Sequence, residues 1–151
     1  MGLAMDKAAL DIAGAAKYLS DQAEVTGKGI GAVGFCMGGS LALWSATLSP
    51  EIIATVAFYP GLPWQRMAPV WQNYSGKSAQ IHCSESDGRS TAPGIQEAVK
   101  AISSGGGDVE TFDYPGTRHA FFNDARPEVY DKEASAIAWD RIITFFASHI
   151  S

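Results

Sequence analysis

The segment Gly34-Phe35-Cys36-Met37-Gly38-Gly39 sets a thiol between glycines two residues away on either side. That is the G-x-nucleophile-x-G spacing of a nucleophile elbow, with Cys in the place of the usual Ser. An apolar run, Ile30-Gly31-Ala32-Val33-Gly34-Phe35, precedes it, and helix-forming residues follow it. The chemistry explains the glycines: the nucleophile occupies a sharp, strained turn, where a neighbouring Cβ would meet the strand or the helix. The start of the following helix aims free N–H groups and a positive dipole end at the turn, which suits a developing oxyanion. The N–H of Met37 is the expected oxyanion donor. The plain alternative is a buried Cys in a glycine-rich turn.

A Cys nucleophile works with a His base that an acid orients. His82 falls within an apparent buried strand, and His149 lies at the end of the last helix. His119 lies in the loop after the fourth strand, in Tyr114-Pro115-Gly116-Thr117-Arg118-His119-Ala120-Phe121. Loops at strand carboxyl ends are where open α/β sheets place ligands. Asp87, in Cys83-Ser84-Glu85-Ser86-Asp87-Gly88, follows the third strand and keeps the chain order nucleophile, acid, base. Glu85 is the rival acid, and an Asp before Gly is also an ordinary turn residue. Arg89 and Phe121 are candidate substrate-binding residues. Phe122 is a further lining candidate, and Trp64, Trp71 and Tyr74 either cover the site or pack the long loop.

The elements that must position these residues follow from periodicity. Helices are expected over about 5–22, 39–48, 93–103 and 127–148, and strands over 30–35, 52–59, 79–83 and 109–114. Pro50, Pro60-Gly61, the glycines at 105–107 and Pro115-Gly116 punctuate them. Alternating strands and helices imply an α/β fold, with a parallel sheet of about four strands covered on both faces in three layers. One domain over 1–151 fits the length, and no linker, repeat or low-complexity segment divides it.

Composition narrows the function classes. Hydrophobic residues make up 46% and charged residues 18% of the chain, as in a globular core and unlike a disordered chain. The net charge of −5, with no block of Lys or Arg, disfavours nucleic acid as a partner. No apolar run approaches the roughly 20 residues of a membrane span. The amino terminus lacks a signal peptide's basic and apolar regions. Two cysteines, Cys36 and Cys83, are too few for a disulfide framework or a four-ligand zinc site. A reduced, cytoplasmic setting and no metal are therefore expected. The Gly29-Ile30-Gly31 run is a poor dinucleotide fingerprint, because no G-x-G-x-x-G follows the strand. A redox role is weak too, since no resolving Cys lies near Cys36 in sequence.

Three segments in order resemble the dienelactone hydrolase family: Val33 to Gly39, His82 to Asp87, and Tyr114-Pro115-Gly116 through His119-Ala120-Phe121. Phe122-Asn123-Asp124, a following Arg-Pro and a helix reaching Trp139 extend the likeness. The resemblance implies part of an α/β-hydrolase fold acting on lactones and activated carboxylic esters without a cofactor. By that resemblance Cys36 attacks the carbonyl, His119 shuttles the proton, Asp87 orients His119, and water hydrolyses a thioester. The family's chain is longer at its amino end, so a domain truncated there is expected. The strands before the nucleophile and a second oxyanion donor then have no counterpart, and one such donor is worth about 3 kcal/mol. Asn123 stands where the family can carry an arginine for a substrate carboxylate. The strand Ile30–Phe35 becomes an exposed apolar edge, and such edges associate, so a homodimer through this strand, or a separate amino-terminal chain, is expected. The contrasting reading is an inactive fragment or pseudoenzyme that serves as an interaction module.

Overall fold

A computed structural model describes residues 4–63 and 67–151. Trp64, one of the residues considered above, lies outside them. The elements run α1 (Met5–Ser20), β1 (Ile30–Phe35), α2 (Met37–Leu48), β2 (Ile52–Phe58), β3 (Ser78–Ser84), α3 (Pro93–Ser104), β4 (Asp108–Tyr114) and α4 (Lys132–Ile150), with single 3-10 turns at Trp71–Tyr74 and Arg89–Thr91. The strands form one parallel sheet in the order β1-β2-β3-β4. Each successive strand therefore lies beside the last, and every strand's carboxyl end opens on the same rim. This is the expected α/β class.

Burial follows from the two-residue period of a strand. Ala54, Val56 and Phe58 of β2 pack with Ala138, Ile142 and Phe145 of α4. Ala57 of β2 and Ala79 and Ile81 of β3 pack on the other face with Leu43 and Ala46 of α2 and Ile95 and Ile102 of α3. A slip in the β1–β2 pairing leaves Ile53 without a partner: Ile30 pairs with Ile52, and Gly31 with Ala54. That extra residue explains why Ile52 and Ala54, two apart, serve opposite faces. Helix α2 is buried along most of its length and takes α1 against its outer side through Ala9, Leu41 and Trp44. The Lys77 ammonium donates to the carbonyls of Ala46 and Ser49 at 2.6 Å each, closing the carboxyl end of α2.

Residues 71–74, in the connection from β2 to β3, are anchored in the core. Tyr74 is fully buried, and its hydroxyl meets Thr55 Oγ1 and the Leu43 carbonyl at 3.0 Å each. Trp71 packs against the same core. Both residues therefore belong to the packing of the loop. Several boundaries differ from expectation: α1 ends at Ser20, α2 starts at Met37, and two further differences have a visible cause. Residues 127–131 are not helical, with a turn over 127–129, and α4 starts at Lys132, because the Asp131 carboxylate caps it by accepting from the Ala134 N–H at 2.9 Å. Tyr59 leaves β2 at φ +35, a positive value that no extended strand has.

Candidate active site

Cys36 sits between β1 and α2 with φ 54 and ψ −122, a conformation rarely held by a non-glycine residue. Its N–H donates to the Phe58 carbonyl at 3.0 Å, and its own carbonyl accepts from the N–H groups of Gly39 and Ser40. The turn is tight because of Gly34: a Cβ there would lie 1.9 Å from the Gly38 oxygen. A Cβ on Gly38, by contrast, would meet nothing within 4 Å, so space does not require the glycine at that position. Met37 is the first residue of α2, so its N–H has no acceptor within the helix. Cys36 is half-buried and lines a cavity of about 390 Å³ together with Phe35, Tyr59, Ala120, Phe122, Asn123 and Asp124.

The loops after β3 and β4 come together on the same rim. His119 Nδ1 lies 2.7 Å from Asp87 Oδ2, which also accepts from Ser84 Oγ at 2.5 Å. The His119 N–H donates to Ser86 Oγ at 2.7 Å, and the Ser86 N–H donates to the Thr117 carbonyl at 3.2 Å. Glu85, the rival acid, is engaged elsewhere: it accepts from the Gly116 N–H at 2.6 Å and pairs with the Arg89 guanidinium. Arg89, His119, Asp87, Cys83, Tyr59 and Leu62 help line a second cavity of about 220 Å³. No hydrogen bond joins the Cys36 thiol to His119 among the described residues. Tyr59 borders both cavities and stands beside both groups.

Phe121 is fully buried between Phe58, Tyr59 and Tyr114, while its neighbour Phe122 faces the Cys36 cavity. His82 is a core residue: burial, and then the charge of Arg141, push its pKa down to about 3. Its Nδ1 meets the Tyr114 hydroxyl at 2.7 Å and its Nε2 meets Gln80 Oε1 at 2.9 Å, so a neutral ring has both nitrogens partnered. Burial, helped by Asp113 and Asp87, raises the Cys83 thiol to about 12, so it stays protonated at neutral pH. Both cysteines are free. Sequence reasoning missed Ser84, Ser86 and Tyr59. The signal for all three was their position at strand carboxyl ends beside the named residues.

The profile of the dienelactone hydrolase family matches residues 2–150. The chain belongs to that family. Among its relatives, a Saccharolobus solfataricus protein named "Putative carboxymethylenebutenolidase" is 36% identical over 135 residues, covering 85% of this chain and 47% of its own length. An Aquifex aeolicus protein of the same name is 29% identical, covering 82% of this chain and 52% of its own length. The chain thus spans about half the length of these relatives. A dienelactone hydrolase-like promiscuous phosphotriesterase from metagenomic libraries shares the fold with a TM-score of 0.68 at 22% identity, over 91% of this chain and 59% of its own. An esterase from Pyrococcus furiosus superposes with the same TM-score, 0.68, at 18% identity, over 97% of this chain and 63% of its own. The dienelactone-hydrolase likeness is that of a hydrolase family with a three-layer α/β fold. Among the described residues no helix is long and apolar enough to cross a membrane.

Proposed function

We propose that this chain hydrolyses lactones or activated carboxylic esters, with Cys36 as nucleophile, His119 as base and Asp87 as the group that orients the base. The observation that carries this reading is a strained thiol turn, φ 54 at Cys36, on the same sheet rim as the 2.7 Å Asp87–His119 contact. His119 donates its Nδ1–H to Asp87, which leaves Nε2 free to accept a proton. The Cys36 thiol gives its proton to Nε2 and the sulfur attacks the carbonyl carbon. The oxyanion receives the Met37 N–H. When the intermediate collapses, the C–O bond breaks and the leaving alkoxide takes the proton from the imidazolium. Water then gives a proton to His119, attacks the thioester and releases the acid, returning the proton to sulfur. The Cys36–His119 hydrogen bond forms when substrate is bound, as catalytic contacts commonly do. A reduced cytoplasmic compartment suits a free nucleophilic thiol.

The test is hydrolysis of 4-nitrophenyl acetate, with mass spectrometry of the intact chain during turnover. An acetyl adduct on Cys36, and a rate that falls about 1,000-fold or more in Cys36→Ala, is the expected result. Equal rates for the two proteins would remove the enzyme reading and leave the interaction module.

The β1 edge belongs to the same reading. Among the described residues β1 pairs only with β2, and Val33 and Phe35 remain 49% and 42% exposed. An open apolar edge of this kind pairs readily with another strand. We propose that a second copy of the chain supplies it, giving a homodimer. Light scattering at high protein concentration should show twice the monomer mass for the wild type and the monomer mass for Val33→Lys. A monomeric wild type would refute the pairing.

A further inference from the structure

Tyr59 occupies a position that the mechanism above does not use. It is 4% exposed and stands at φ +35 directly before Pro60, a conformation that costs energy and that the surroundings must impose. Its N–H is fixed to the His82 carbonyl at 2.7 Å. Its ring centroid lies 4.9 Å from that of His119, with the planes inclined at 58°. The Phe122 backbone N–H acts on its hydroxyl, and burial holds that hydroxyl up at about 12, so it is a neutral phenol throughout the working range. Tyr59 is therefore tied to β3 through its backbone and to the 119–122 loop through its side chain.

We propose that Tyr59 is the positioning residue for His119. The geometry gives the reason. The Nδ1–Asp87 contact fixes one corner of the imidazole but leaves the ring free to pivot about that hydrogen bond. The His119 side chain is 41% exposed, so solvent does not stop the pivot. The Tyr59 ring packs against the imidazole and limits that pivot on the protein side; it lines both the His119 cavity and the Cys36 cavity, so it is the side chain that can set the imidazole relative to the thiol. The ring is the working part, because the loop has other anchors, including the His119 N–H to Ser86 contact.

This inference rests on the triad reading, and its test separates the two. The variants are Tyr59→Phe, which keeps the ring, and Tyr59→Leu, which removes it. Tyr59→Met keeps more of the buried volume and replaces the Leu protein if that one does not fold by circular dichroism. The first readout is the downfield proton resonance of the His119 Nδ1–H, which needs no turnover. It should persist in the wild type and Tyr59→Phe and broaden or vanish in Tyr59→Leu. The second is 4-nitrophenyl acetate hydrolysis. Tyr59→Leu should lose about 100-fold in kcat with KM little changed, the size expected for a displaced catalytic group. Tyr59→Phe should stay within about threefold. A sharp resonance and wild-type kcat in folded Tyr59→Leu would overturn the inference while leaving the triad intact. A wild-type rate in His119→Ala would instead overturn the triad reading, and the positioning role with it.

Discussion

Acid should destabilise this fold through one buried ring. His82 is fully buried, and its pKa is held down at about 3, against about 6.5 in an unfolded chain. Between those values the unfolded state binds the proton and the folded state does not, so stability falls as pH is lowered. From pH 7 to pH 5 the unfolded ring goes from mostly neutral to mostly charged, while the folded ring stays neutral. At about 1.4 kcal/mol per unit once the unfolded ring is charged, the loss over that interval is about 2 kcal/mol. The full stability term is present above pH 6.5 and is consumed as pH falls towards 3. The assay is urea unfolding at pH 7 and pH 5 for the wild type and His82→Gln. Every other ionisable group is common to both proteins, so the difference between them reads the ring at position 82 alone. His82→Gln is less stable at both values, but its loss between them should be smaller by about 2 kcal/mol. Parallel pH dependences, within about 0.5 kcal/mol, would show that the folded ring takes up a proton near its ordinary value, against a stack on Phe58 at 4.4 Å and two neutral partners.

Further outcomes follow from the elbow and the His119 loop. Gly34→Ala places a Cβ 1.9 Å from the Gly38 oxygen and should lower unfolding free energy by about 3 kcal/mol or prevent folding, whereas Gly38→Ala should change it by less than about 1 kcal/mol. Denaturant midpoints for the pair check this, and equal effects would contradict the packing argument. Ser86→Ala removes the acceptor of the His119 N–H and should lower ester hydrolysis about fivefold, the worth of roughly 1 kcal/mol, with the fold retained by circular dichroism.

The element order and the parallel sheet were legible because four apolar runs alternate with helical spacing, a pattern that leaves few packings. The regions of the site were legible too, because Cys36, Asp87 and His119 each follow a strand. What the sequence withheld was set by contacts between distant segments. Nothing local marks 127–131 as non-helical: that stretch is held by the Asp131 N–H donating to the Phe121 carbonyl and by the Asp131 cap. Tyr59 reads as the end of a β-branched run, yet contacts with His82, His119 and Phe122 turn it out of the strand. The choice between Glu85 and Asp87 as the partner of the imidazole depended on side-chain direction. Glu85 turns to Gly116 and Arg89, while Asp87 turns to His119.

The Lys28 N–H donates to the Ile150 carbonyl at 3.0 Å, which anchors the end of α4 beside the start of β1. Cys36 lies at the other end of that strand, roughly 20 Å away for six extended residues. A surface or bead coupled through Ser151 would therefore present the thiol turn outward, towards the bulk liquid. Attachment at that residue keeps the tether on the side of the molecule away from the reactive rim.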